Sequence, residues 1–233
     1  MSLIKSKEEI ELIRESALLV SKTLGMLASE IKPGVTTLYL DSLAEKFIRD
    51  HQAIPGFLGL YDFPNTLCIS PNSQVVHGIP NKDEIKDGDI LMLDTGLMWD
   101  GYFCDFDRNF SMGTPDPRVI SCHNYLVDAV MAGLEVAKSG STAADIFHAM
   151  AKITGAGKAL EAGRFGHGLG MQLTEWPSFI PDDHTEILEG MVLTLEPSIE
   201  TIDGRIMVHE ENIVIRKDGV EKLSTFYKEM VII

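Results

Sequence analysis

The pattern that most constrains this chain is a succession of helix, stop, helix and acid-bearing hairpin that occurs twice. Ser6 and Glu9 form a capping-box signature, and Ile10, Ile13, Ala17, Val20, Leu24 and Leu27 then step by three and four along one face, which predicts a long helix. Pro33 and Gly34 stop it, and the threonines of V35-T-T cap a second helix that runs through about Asp50. Further on, I90-L-M-L leads to Asp94, and Asp100-Gly101 turns the chain into Y102-F-C-D105. After Pro117 the grammar returns: Ile120, Val127, Val130, Leu134 and Ala137 mark a helix, and K138-S-G-S-T-A-A-D145 repeats the stop and restart. V192-L-T-L-E196, a turn at Asp203-Gly204 and R205-I-M-V-H-E210 repeat the hairpin. Glu196, Asp203 and Glu210 follow Asp94, Asp100 and Asp105 by 102, 103 and 105 residues. The expected architecture is α+β, a single domain over 1–233 with pseudo-repeat halves at approximately 6–113 and 117–225.

Acids at the ends of such apolar strands cannot be buried as bare charges, because desolvating one unpaired carboxylate costs several kcal/mol. Asp94, Asp105, Glu196 and Glu210 therefore require cations or protons. The balance of 20 Lys and Arg against 35 Asp and Glu, a formal charge of −15, argues against nucleic acid or an anionic membrane as partner. The N-terminus opens into a charged amphipathic helix with no apolar signal core, and no apolar run is long enough to span a bilayer, so a cytoplasmic location is expected. Cys68, Cys104 and Cys122 are odd in number and widely spaced, which fits neither a disulfide framework nor a cysteine zinc site.

Five motifs in order carry a family resemblance: S70-P-N-S-Q-V-V-H77-G-I-P, the eleven-residue step from Asp94 to Asp105, G166-H167-G-L-G, G190-M-V-L-T-L-E196-P and H209-E210. The chain resembles the methionine aminopeptidase and Xaa-Pro peptidase family over nearly its whole length. C68-I-S-P-N-S-Q-V-V-H77-G-I-P is the more methionine-aminopeptidase-like part, whereas L93-D-T-G96, D100-G-Y-F-C-D-F-D-R-N-F110 and K217-D-G-V-E-K-L-S224 are more Xaa-Pro-like. The resemblance implies the pita-bread fold, two pseudo-symmetric halves of curved antiparallel sheet covered by helices, with a dinuclear metal site between them. It implies Asp94, Asp105, His167, Glu196 and Glu210 as the five ligands, Asp105 and Glu210 bridging. Such an oxygen-rich set favours Mn²⁺, Fe²⁺, Co²⁺ or Zn²⁺. Strand alternation points only one of the adjacent Glu210 and Glu211 inward, and the register of the resemblance picks Glu210.

The activity implied is removal of an N-terminal residue from a peptide, by attack of a hydroxide bridging two metals. Glu196 passes on the proton, and His77 places the substrate or protonates the leaving nitrogen. By the same analogy Phe57, Tyr61, Phe63, Cys68 and Leu173 form the apolar pocket for the first side chain. Arg108 is expected to pair with Asp107 or a ligand carboxylate, or to sit in a surface ion pair. His209 should point away from the site, and His51, His123, His148 and His184 carry no motif. One departure stands out: seven residues after the G-H-G histidine the family carries a second histidine that binds the substrate carbonyl, and this chain has Thr174. A threonine cannot become cationic and stabilises an oxyanion less well. Either activity is reduced, or His77 or His184 compensates, or the substrate is a non-peptide C–N compound. The molecule is expected as a monomer or homodimer.

Overall fold

The computed structural model describes residues 2–72, 77–155, 163–201, 204 and 206–233. Ser6 Oγ accepts the Glu9 N–H while the Glu9 carboxylate accepts the Ser6 N–H, so helix α1, Lys7–Glu30, starts where the capping box predicts. Ile10, Ile13, Ala17, Val20, Leu24 and Leu27 are its buried face. Thr36 caps α2, Thr37–Asp50. Asp116 caps α3, Pro117–Val136, with proline in the first turn. Thr142 and Asp145 form a second capping box on α4, Ala143–Thr154. In α3 the buried stripe is Val119, His123, Leu126, Val130 and Gly133, while the predicted Ile120, Val127 and Leu134 are half-buried. Gly133 explains the rotation: a Cβ there would lie 2.7 Å from Leu195 Cδ2 and 3.0 Å from Met150 Cγ, so its bare backbone is the point of closest approach.

The described strands are β1 Ile54–Pro55, β2 Leu67–Pro71, β3 Ile90–Trp99, β4 Tyr102–Ser111, β5 Gly166–Gly168, β6 Glu175–Ser178, β7 Val192–Leu195, β8 Ser198–Glu200, β9 Ile206–Val208, β10 Glu211–Arg216, β11 Gly219–Lys222 and β12 Val231–Ile232. One sheet joins β1, β2, β3, β4 and β12, and another runs β11-β10-β7-β5-β6. The first is not wholly antiparallel, because β12 adds alongside β4 in parallel. Helix α1 packs on β3 and β4 with α2 beside it, and α3 and α4 enclose Phe147, Phe165, Phe179, Leu193, Leu195, Ile213 and Ile215 of the second core.

The predicted β3–β4 hairpin forms with Asp100 at φ +48° and Gly101 at φ +85°, the two left-handed residues that a tight hairpin turn matched to strand twist requires. Asp94 and Asp105 lie in mid-strand, not at strand ends, and the register sets Asp94 opposite Asp107 and Gly96 opposite Asp105, all on one face. The second hairpin is split. β7 pairs with β10 and β8 pairs with β9 in one continuous register, with Glu196-Pro197 and His209-Glu210 left between the two ladders. Pro197 has no N–H to give the ladder. The Glu196 N–H turns to the Phe165 carbonyl instead, at 3.1 Å. Asp203 and Arg205 of the predicted turn lie outside the described residues, as do positions 73–76 of the S70–H77 motif.

Side chains of β4 and β10 sew this region together. Asn212 Nδ2 donates to the Asp105 carbonyl at 2.5 Å and Asn109 Nδ2 to the Val208 carbonyl at 2.6 Å. Arg108 is fully buried, which corrects the surface-pair and ligand-pair expectations. Its Nη1 donates to the carbonyls of Asp107 and Glu210, both at 2.6 Å, its Nε to that of Tyr227 at 2.7 Å, and its Nη2 reaches Glu211 at 3.1 Å. Breaking a buried pair by removing one partner typically costs about 3–5 kcal/mol. Arg108→Leu is accordingly expected to lower unfolding free energy by about that amount in urea titration; a loss below about 1 kcal/mol would contradict the seam role.

Candidate metal centre

A cavity of about 400 Å³ opens between the two sheets, and Asp94, Asp105, His167, Glu196 and Glu210 all line it. So do Phe57, Tyr61, Phe63, Cys68 and Leu173, together with His77 and Thr174. The predicted ligands, His77, Thr174 and the apolar pocket residues thus share one space. Gly96 lets the walls meet, since a Cβ there would sit 2.7 Å from Phe57 Cε1, 3.1 Å from Asp105 Cβ and 3.2 Å from Leu173 Cδ1. Cys68 Sγ lies 3.7 Å from His77 Nδ1.

Each donor is aimed by its local structure. His167 sits in β5 and its Nδ1–H donates to the Gly168 carbonyl at 2.9 Å, which leaves Nε2 unprotonated on the side of Glu196 Oε1, 3.7 Å away. Burial and the nearby Arg164 charge push its pKa down to about 3, so it is neutral and ready to ligate. Gly166 and Gly168 serve strand packing: a Cβ on Gly166 would fall 2.1 Å from the Thr194 carbonyl oxygen, and one on Gly168 2.2 Å from that of Trp176. Glu210 is buried and accepts from Thr194 Oγ1 at 2.5 Å and from the Asp107 N–H at 3.1 Å. Glu211 turns the other way, to Arg108 at 3.1 Å, Lys222 at 3.0 Å and His209 at 3.4 Å, and is held at about 2 by its hydrogen bond to His209 and these cations, against the upward pull of burial. The alternation expected of the pair is what the structure has. His209 packs edge-on against His123 and away from the cavity.

Asp105 and Glu210 are buried, while Asp94 and Glu196 are half-buried at the cavity wall. Burial, reinforced by the neighbouring carboxylates, raises Asp94 and Glu210 well above their usual range and Asp105 to about 8. Burial raises Glu196 to about 7 against the pull of Arg164. Asp94 Oδ1 and Asp105 Oδ1 are buried oxygens without a hydrogen-bond partner among the described residues. Orphaned carboxylate oxygens beside a neutral imidazole are the donor chemistry a divalent ion satisfies. Among the described residues no three donors are drawn together tightly enough to hold an ion as they stand. The residues fit the ion in identity and placement, and closure needs side-chain adjustment.

Two residues at this site escaped the sequence reading. Arg164 lines the cavity, with Nη2 donating to Thr174 Oγ1 at 3.2 Å and Nε 3.6 Å from Glu196 Oε1. Its signal was its position three before His167, which carries little weight outside a regular strand. Asp107 lies opposite Asp94, is buried, and has an unpartnered Oδ1. Burial pushes it up to about 7. Its two-residue step from Asp105 on one strand was the available sign. His184, considered as a substitute for the missing histidine, does not line the cavity.

These shifts set a pH dependence. The folded chain keeps protons on Asp105, Asp107 and Glu196 that an unfolded chain has released by about pH 5, so stability falls as pH rises towards about 8. His167 and His209 have lowered pKa values and act in the opposite sense, but only below about pH 6.5. Metal-stripped protein should therefore melt at lower temperature at pH 8.5 than at pH 6.5. Added Mn²⁺ displaces those protons and should reverse the trend, stabilising by about 2.7 kcal/mol at a free concentration one hundred times its Kd. A melting temperature indifferent to both pH and Mn²⁺ in calorimetry would remove the cage.

Residues 11–218 match the family model described as metallopeptidase family M24. A methionine aminopeptidase of Clostridium perfringens is 34% identical over 239 residues, covering 100% of this chain and 95% of that protein. The crystal structure of methionine aminopeptidase from Rickettsia prowazekii superposes with a TM-score of 0.83 at 29% identity, over 95% of this chain and 99% of that one. A Xaa-Pro dipeptidase from Bacillus anthracis gives 0.88 at 25% identity over 99% of this chain, which spans only 64% of the longer enzyme. The fold is the pita-bread arrangement of these enzymes, and the chain belongs to metallopeptidase family M24.

Proposed function

We propose that this protein is a metallo-aminopeptidase that removes the first residue of a peptide, as the methionine aminopeptidases it is similar to are named for doing. The observation that carries the reading is a cavity lined by carboxylates and imidazoles together with aromatic and aliphatic side chains. Asp94, Asp105, His167, Glu196 and Glu210 would hold two divalent ions, Mn²⁺, Co²⁺, Fe²⁺ or Zn²⁺. Bound there, such ions lower the pKa of water towards neutrality and polarise a carbonyl. The chain's own groups do the rest. Phe57, Tyr61, Phe63, Cys68 and Leu173, joined by Leu60, take the first side chain, and a space of this size and polarity suits an unbranched apolar one such as methionine.

Glu196 accepts a proton from the attacking water and returns it to the leaving nitrogen. His77, whose pKa burial lowers, is neutral at physiological pH and offers a ring nitrogen to the substrate from the opposite wall. The free amine of the substrate lies against the carboxylate wall, which restricts cleavage to chain ends. The organisation proposed is one domain over 1–233 with halves at approximately 6–113 and 117–225, the ions lying between them. A cytoplasmic location is proposed with it; among the described residues no helix is long and apolar enough to cross a membrane.

A second reading keeps the metal site and changes the substrate to a small non-peptide C–N compound; Thr174 at the cavity wall favours it. A library assay decides. Mn²⁺-, Co²⁺- or Fe²⁺-loaded protein should release methionine from Met-Ala-Ser and lose that activity on exhaustive chelation. Undiminished cleavage after chelation would refute the metallopeptidase reading, and inert Met-initiated and X-Pro peptides beside a hydrolysed small amide would select the second.

A further inference from the structure

Thr174 removes a cation from the place where a peptidase of this kind needs one, yet a guanidinium stands beside it. Arg164 Nη2 donates to Thr174 Oγ1 at 3.2 Å, and its Nε lies 3.6 Å from Glu196 Oε1. The side chain is 32% exposed, at the cavity surface and not in the core, so it is placed to meet something that enters. A guanidinium carries five N–H donors in a rigid fork. Among the described residues only Thr174 and Glu196 are paired with it, which leaves donors for an incoming oxygen. Its charge is felt at His77, His167, Asp105 and Glu196, the groups that surround the cavity.

We propose that Arg164, steadied by Thr174, is the catalytic cation that binds the substrate's acyl oxygen and stabilises the oxyanion formed when water adds to the scissile carbonyl. This rests on the aminopeptidase reading above. In that step a C–O bond forms at the carbonyl carbon and the π electron pair moves onto its oxygen, where Arg164 N–H groups receive the charge. When the tetrahedral centre collapses, the C–N bond breaks and the nitrogen takes the proton that Glu196 removed from water. Thr174 is a positioning residue: its hydroxyl accepts one guanidinium N–H and fixes the fork, and a histidine at the same position would compete for the space and the oxygen. The pairing accounts together for a threonine without charge and an arginine with surplus donors.

Removing one oxyanion donor costs on the order of 10²–10³ in kcat. R164Q should show that loss with KM changed less than tenfold, R164K an intermediate one, and R164Q/T174H should recover at least tenfold over R164Q. T174H alone should gain little. Two measurements on Mn²⁺-loaded protein accompany the kinetics: metal stoichiometry, and calorimetric affinity for a methionine phosphinate that mimics the tetrahedral centre. R164Q should keep the stoichiometry and bind the phosphinate on the order of 10²-fold more weakly. Unchanged phosphinate affinity would overturn the assignment, as would an additional metal ion in R164Q, which would show the guanidinium occupying an ion's position. Failure of wild-type protein to cleave any peptide would instead overturn the aminopeptidase reading, whatever R164Q does to phosphinate binding.

Discussion

The structure depends on holding like charges side by side where little water reaches them. Asp94, Asp105, Asp107, Glu196 and Glu210 come to one seam, and each of the first four raises the proton affinity of at least one other. Mutual repulsion at low dielectric works against collapse there unless protons or cations neutralise the carboxylates. The neighbouring architecture is rigid in compensation. Arg108 uses its whole guanidinium on carbonyls and on Glu211, and Asn109 and Asn212 cross the seam to backbone oxygens, so the acids are held by groups that carry no net negative charge to the cavity. The outer shell of cations sits on Glu211, one residue from Glu210, and leaves the inner carboxylates for a ligand.

Much of this was readable in residues whose local physics is self-sufficient. The Ser6–Glu9 capping box began its helix, Asp100-Gly101 turned its hairpin, and strand alternation turned only one of Glu210 and Glu211 inward, the one that the family register picks. What escaped depended on partners distant in sequence. The face of α3 was displaced because Gly133 meets Leu195 and Met150, contacts no periodicity contains. The second hairpin splits at Pro197 because the Glu196 N–H finds Phe165, thirty-one residues upstream. Arg164 stands in no regular strand, so nothing local said where its side chain would go.

The division of the cavity into two chemistries also has a local origin. Gly96 and Asp105 are cross-strand partners, and the missing side chain of one makes room for Phe57 and Leu173 above the carboxylate of the other. Apolar side chains therefore crowd close to the carboxylates, and a lower local dielectric strengthens electrostatic contacts there. The mixture of methionine-aminopeptidase-like and Xaa-Pro-like motifs follows this division loosely: Cys68 and His77 belong to the first set, whereas the hairpin carrying Asp94 and Asp105 belongs to the second.

Arg108 takes two of its acceptors from the carbonyls of Phe226 and Tyr227, and β12 lies along β4 immediately afterwards. The segment that buries this guanidinium is thus translated more than a hundred residues after it. As the polypeptide leaves the ribosome at about 5–20 residues per second, both acid-bearing hairpins emerge before the clasp that orders them. The acid-bearing seam therefore gains its clasp only once residues 226 and 227 have been made and β12 can lie along β4.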